Sequence, residues 1–229
     1  MTREWELWRF FWGSCGAQGE PKRVFDDLDR RYREPHRFYH TWEHVRACLE
    51  ELTPARPLCR DPIAVELALW CHDAVYDPRA RDNERRSAAI ASTAAVAMGL
   101  GGAAEAEALV LATIHGENTG RGTDWEADTR VVLDVDLAVL GRSPREFAAY
   151  EAGIRAEYSF LPDENYRNGR KRVLESFLRR PLIYRTDLFR ERYERQARVN
   201  LEESLERLAA RAIIPTWQSA SRRPAKRRG

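Results

Sequence analysis

The sequence predicts an all-α helical bundle. Apolar residues recur at helical spacing along most of the 229 residues, and no run alternates in the way a half-buried strand requires. A third observation sets the centre of the fold: Ile63-Ala64-Val65-Glu66-Leu67-Ala68-Leu69 is apolar on nearly every face, as only a buried helix can be. Asp61 and Pro62 open it, a capping carboxylate followed by a first-turn proline.

The elements follow from their punctuation. Residues 5–12 and 21–32 form an N-terminal helical pair split by a Gly-containing turn at 13–19; Trp5, Trp8, Phe11 and Trp12 lie at helical spacing and are expected to pack on the body. A helix starts near 38–41 and runs to about Leu52, ended by Pro54 and Pro57. The central helix is expected over 61–77, with a polar loop at 78–82 and a helix from Asn83 to about Met98, closed by Gly99. Helices are then expected at 103–115, before Gly116 and a Gly- and Thr-containing loop, and at 128–140, before Gly141. Ser143-Pro144 caps a helix to about Tyr158, and helices at 163–178 and 187–212 complete the set. One domain is expected over residues 1–214, followed by a short basic tail at 215–229.

Composition narrows the class. With 43% hydrophobic and 32% charged residues the chain has the makeup of a globular protein. No apolar run approaches membrane-spanning length and the start carries no apolar leader, so a cytoplasmic protein with no membrane partner is expected. Cys15, Cys48, Cys59 and Cys71 form no Cys-x-x-Cys pair and read as reduced, packed thiols. The net charge of +2 owes much to the tail, where residues 222–229 hold five Lys or Arg and no acid. That tail is read as a disordered solubilising end rather than a nucleic-acid-binding one.

The chemistry centres on Trp70-Cys71-His72-Asp73-Ala74-Val75-Tyr76-Asp77. A His-Asp pair in a buried helix costs several kcal/mol unless it is paired, hydrogen-bonded or bound to an ion, so it needs partners elsewhere. His40 and His44 are four residues apart, one helical turn, which suits either a structural pair or a ligand face. Asp136 is flanked at helical spacing by Val132, Leu133, Val139 and Leu140, whereas Asp134 has Arg130 one turn back to pair with. Asp136 is therefore expected to be the carboxylate pressed into the core, and to be there as a cation ligand.

Together His44, His72-Asp73 and Asp136 resemble the H…HD…D arrangement of the HD-domain metal-dependent phosphohydrolase superfamily. The segments Tyr39-His40-Thr41-Trp42-Glu43-His44, Asn83-Glu84-Arg85-Arg86-Ser87-Ala88 and Leu133-Asp134-Val135-Asp136 are similar to those of a bacterial subgroup of it, and the likeness spans about residues 5–210. The resemblance implies an HD-domain helical bundle with one divalent cation on His44, His72, Asp73 and Asp136. Two imidazoles and two carboxylates suit Mn²⁺, Fe²⁺, Co²⁺, Ni²⁺ or Zn²⁺, with Mg²⁺ also admissible. It further implies hydrolysis of a phosphomonoester or phosphodiester, in particular a nucleotide, by a metal-activated water.

Around that centre, Asp77 is expected either to handle the water's proton or to end the helix, and Glu84 either to support catalysis or simply to start a helix. His40 and His115 are candidates for substrate phosphate or a second ion; a dipole-stabilised helix end would also explain His115. Arg79, Arg155 and Arg170 are the candidate phosphate-binding cations among 35 arginines. HD enzymes acting on hyperphosphorylated guanine nucleotides carry a Glu-Asp pair where this chain has Tyr76-Asp77, so that activity is not implied. The alternative to an enzyme is a nucleotide-binding or sensory module that keeps a structural metal without turnover.

Overall fold

The computed structural model describes residues 2–114 and 126–210. His115 and the basic tail at 215–229 lie outside the described residues. Within them every regular element is helical, so the all-α bundle expected from the periodicity is what the chain forms. No helix among the described residues is long and apolar enough to cross a membrane.

Helix α1 (Arg3–Ser14) and α2 (Pro21–Tyr32) pack together, followed by α3 (Trp42–Ala55). The central helix α4 spans Pro62–Cys71 and touches α3, α5 (Asn83–Ala97), α6 (Ala103–Leu111) and α7 (Glu126–Asp136). Its residues Ala64, Val65, Leu67, Ala68, Leu69, Trp70 and Cys71 are all buried, which is why the sequence there is apolar on every side. A 3₁₀ turn, Leu137–Gly141, follows α7. Then come α8 (Pro144–Glu157), α9 (Asp163–Leu178), a single turn α10 (Asp187–Phe189), a π turn at Arg190–Glu194 and α11 (Arg195–Ala210).

The N-terminal aromatics do pack on the body. The Trp8 ring meets Trp70 edge-on at 5.2 Å, and its Nε1 donates to the Pro21 carbonyl. The four cysteines are free thiols, with Cys48 and Cys71 buried.

Three expectations are corrected. The central helix does not continue to Asp77 but ends at Cys71, because side chains take over the groups that would extend it. Arg37 donates to the Asp73 and Ala74 carbonyls at 2.6 and 3.0 Å, Ser87 Oγ accepts from Val75 N, and Asn83 Oδ1 accepts from Asp77 N. Second, α3 begins at Trp42 after its cap Thr41, so His40 sits in the preceding turn and not on one helix with His44. Third, Asp134 is the more buried of the two carboxylates. It accepts from Arg185 N, Thr186 N and Thr186 Oγ1, each at 2.7 Å, while Arg130 pairs with Glu126.

Asp134 thus fixes the turn that leads into α10. Replacing it by Ala leaves two backbone donors without their acceptor and is expected to lower stability by about 1–3 kcal/mol. Urea denaturation checks this; an unchanged midpoint would show that water replaces the carboxylate at no cost.

Candidate metal centre

Four side chains converge from three helix ends. His44 lies in the first turn of α3, His72 caps α4 with Asp73 next to it, and Asp136 is the last residue of α7. The Nε2 atoms of His44 and His72 are 3.0 Å apart. Asp136 Oδ1 is 3.2 Å from the first and 3.5 Å from the second, and Asp73 Oδ2 is 3.5 and 3.1 Å from the same two atoms. Ligand atoms sharing one divalent ion are separated by about 3.0 Å in octahedral and about 3.4 Å in tetrahedral coordination, given bonds of about 2.1 Å. The two imidazole nitrogens thus stand at ligand spacing from each other and from one oxygen of each carboxylate.

Two imidazole nitrogens facing each other at this distance need a bridging proton or a shared cation. Electrostatics points the same way. Burial opposes a charged His72, yet Asp73 and Asp136 raise its pKa well above the ordinary value. Burial likewise works against ionised Asp136, but hydrogen bonds from His44 and His72 hold it well below the usual carboxylate range; Asp73 is also held low, by the charges of His72, His40 and His44. The pocket favours two carboxylates in ionised form and demands positive charge between them.

Cys48, one turn after His44, is a member of the cluster that the sequence did not single out: His44, Cys48, His72 and Asp136 each offer a ligand atom within 4.8 Å of the others. Its Sγ is 3.7 Å from Nε2 and 3.8 Å from Nδ1 of His44, so it lies beside the ring rather than in front of one nitrogen. Burial, then Asp136 and Asp73, push its pKa well up, which keeps the thiol neutral. Asp73 Oδ2, at 3.5 Å from the same His44 Nε2, is the other candidate for the fourth position.

Two residues that sequence reading missed hold the frame. Arg37, buried against the Tyr32 and Tyr76 rings, also donates to the His40 carbonyl and so ties the turn before α3 to the segment carrying Asp73. Glu157, at the end of α8, accepts from the backbone N–H groups of Phe38, Tyr39 and His40 through Oε1, while its Oε2 pairs with His40 Nδ1 at 2.8 Å. Gly153 makes this reach feasible, since a Cβ there would stand 3.0 Å from Tyr39 Cβ. With Nδ1 engaged and the ring stacked on Tyr76 at 3.9 Å, His40 has its Nε2 left for other partners.

A cleft of about 390 Å³ opens onto the centre, lined by His72, Asp73 and Asp136 together with His40, Asp77 and Glu84. Asp77 is there as a turn residue: its Oδ1 accepts from Arg79 N, and Asn83 Nδ2 donates to its carbonyl. Glu84 stands in the first turn of α5, so its helix-start position and its place in the cleft coincide. The three candidate arginines are not brought to this cleft. Arg79 lies over Phe160 at 4.0 Å; Arg155 bonds the Tyr158 carbonyl and Asp163; Arg170, buried, holds Glu151 and the Tyr150 hydroxyl. Arg81 lines the cleft instead, exposed and without an ion-pair partner among the described residues.

No protein-family model, curated protein or solved structure matches the chain.

Burial alone would raise the Glu157 carboxyl, but the hydrogen bond and charge of His40 bring it down from 4.5 to about 2. A carboxyl depressed on folding contributes stability that is present above the unfolded value and lost as the pH falls through the folded one. Thermal stability should therefore decline as the pH drops from 4.5 toward 2, and Glu157→Gln should flatten that decline and lower the His40 pKa, seen by NMR titration. An unchanged acid limb in Glu157→Gln would show that the pair contributes nothing.

Proposed function

We propose that the protein is a metal-dependent phosphohydrolase of the HD-domain type, acting on a phosphate ester of the nucleotide class. The observation that carries this reading is the convergence of His44, His72, Asp73 and Asp136, in H…HD…D order, at coordination-shell spacing. A divalent cation of the Mn²⁺, Fe²⁺, Co²⁺, Ni²⁺ or Zn²⁺ type held there would supply an acidified water and polarise a phosphoryl oxygen.

The chain's own residues divide the remaining work. His40, fixed through Nδ1 by Glu157, offers Nε2 to a phosphoryl or leaving oxygen; burial lowers its pKa, but Asp73 and then Glu157 raise it on balance, which favours the donor form. Arg81 at the cleft wall supplies a guanidinium free to take a phosphate through two N–H donors. Asp77 and Glu84 line the same cleft as carboxylate acceptors for a proton released from water.

Phosphate release from a nucleotide panel tests the reading. Metal-replete wild type should turn over at least one nucleotide, and His72→Ala should lose about a thousandfold or more of that rate. Turnover that survives His72→Ala contradicts the proposal; metal uptake with tight nucleotide binding and no turnover would make the protein a binding module. Loaded with Co²⁺, the wild type should lack the near-ultraviolet band of a thiolate ligand; its appearance, and loss in Cys48→Ser, would put Cys48 in the shell.

A further inference from the structure

The metal centre is open on two sides. Asp136, Tyr39, Val139 and Tyr150 border the polar cleft described above and also a second cleft of about 290 Å³, onto which His44 faces. The second cleft is of different character. Its floor is Cys48 and Val135, both buried, and its walls are Ala47 on α3, Val139 and the Tyr39 and Tyr150 rings, which meet edge to face at 4.6 Å. Phe38, 57% exposed, stands at its mouth.

Apart from the ligand residues His44 and Asp136, its charged side chains are mostly acidic. They are Glu43, Glu51, Glu146 and Arg142, and Arg142 is already bound by Glu51 at 2.7 Å and Glu146 at 3.2 Å. No side-chain cation lining this cleft is left to meet an anion, whereas the polar cleft across Asp136 has Arg81. A ligand reaching the centre would thus have its phosphate drawn to one side and an uncharged, apolar part to the other.

We propose that the second cleft binds the uncharged aromatic organic group of the substrate, so that the enzyme selects phosphate esters of neutral, ring-bearing alcohols and refuses substrates carrying a second phosphate on that arm. This rests on the phosphohydrolase reading and narrows its substrate class. The apolar floor and the two tyrosine rings supply burial and edge or face contact for a ring system. The exposed Glu43 carboxylate repels a further phosphate and accepts hydrogen bonds from ring N–H groups.

The test compares 2-naphthylmethyl phosphate with glycerol 2-phosphate, two alkyl esters, and measures calorimetric binding of 2-naphthol, on metal-loaded wild type, Ala47→Phe and Ala149→Phe. Ala47, half-buried on α3, and Ala149, exposed on α8, both line the cleft, so a bulky ring at either position fills it. Wild type should bind 2-naphthol and favour the naphthyl ester by about tenfold or more in kcat/KM, and both variants should lose the binding and the preference. Absence of naphthol binding, or a preference that persists in both variants, overturns the inference. If naphthol binds wild type and is excluded by the variants while neither the two esters nor any nucleotide is hydrolysed, the cleft assignment stands and the phosphohydrolase reading fails.

Discussion

The grip of Arg37 on the Asp73 and Ala74 carbonyls is the interaction on which the centre depends. With Ser87 Oγ, which takes the Val75 N–H that a continued helix would return to the Cys71 carbonyl, it holds the chain in a turn after His72. That turn frees Asp73 from the helical ladder and brings it beside the His72 ring, a position that adjacent residues in an unbroken helix, about 100° apart around the axis, do not share. Ser87 and Asn83, from α5, hold the far side of the same segment. A buried guanidinium with several backbone acceptors is costly to disturb, which gives the ligand frame its rigidity.

Within that frame the energetic tension is electrostatic. Two carboxylates and two imidazoles are pressed together at the ends of three helices, with both imidazoles buried. Protons on the rings can meet the demand for positive charge only by giving up the lone pairs that face inward. A divalent ion held there would meet it without protonating the rings, and its binding would then be coupled to local order. The His40–Glu157 pair, a turn away, repeats the logic in milder form, a half-buried imidazole steadied by a carboxylate.

Much of this was legible in the residues themselves. The apolar run at 63–69 located the core helix, and a His-Asp pair at its end demanded partners that His44 and Asp136 provide. What could not be read was whatever depends on distant partners. Asp134 is separated by fifty-odd positions in sequence from the Arg185 and Thr186 donors that bury it, so its neighbour Arg130 looked like the natural counter-ion. The turn after α4 is held by Ser87 and by Arg37, one of 35 arginines, and the cleft-lining Arg81 carries no local signature either. Cys48 looked like an ordinary packed thiol because helical spacing alone does not reveal what its neighbour His44 faces.

The two clefts divide along chemical lines, polar on the Asp73 side and apolar on the Ala47 side, with Asp136 common to both. Everything proposed for the protein's chemistry depends on a cation at that junction. The most direct measurement is a calorimetric titration of chelator-stripped protein with Mn²⁺ or Zn²⁺ in buffers of different ionisation enthalpy. The account predicts one saturable site per chain, with proton release as the His72 imidazole gives up its proton to the metal, and no such site in Asp73→Ala/Asp136→Ala. Failure of the intact protein to take up any divalent ion would contradict it, and would mean that a proton shared between His44 and His72 satisfies the cluster.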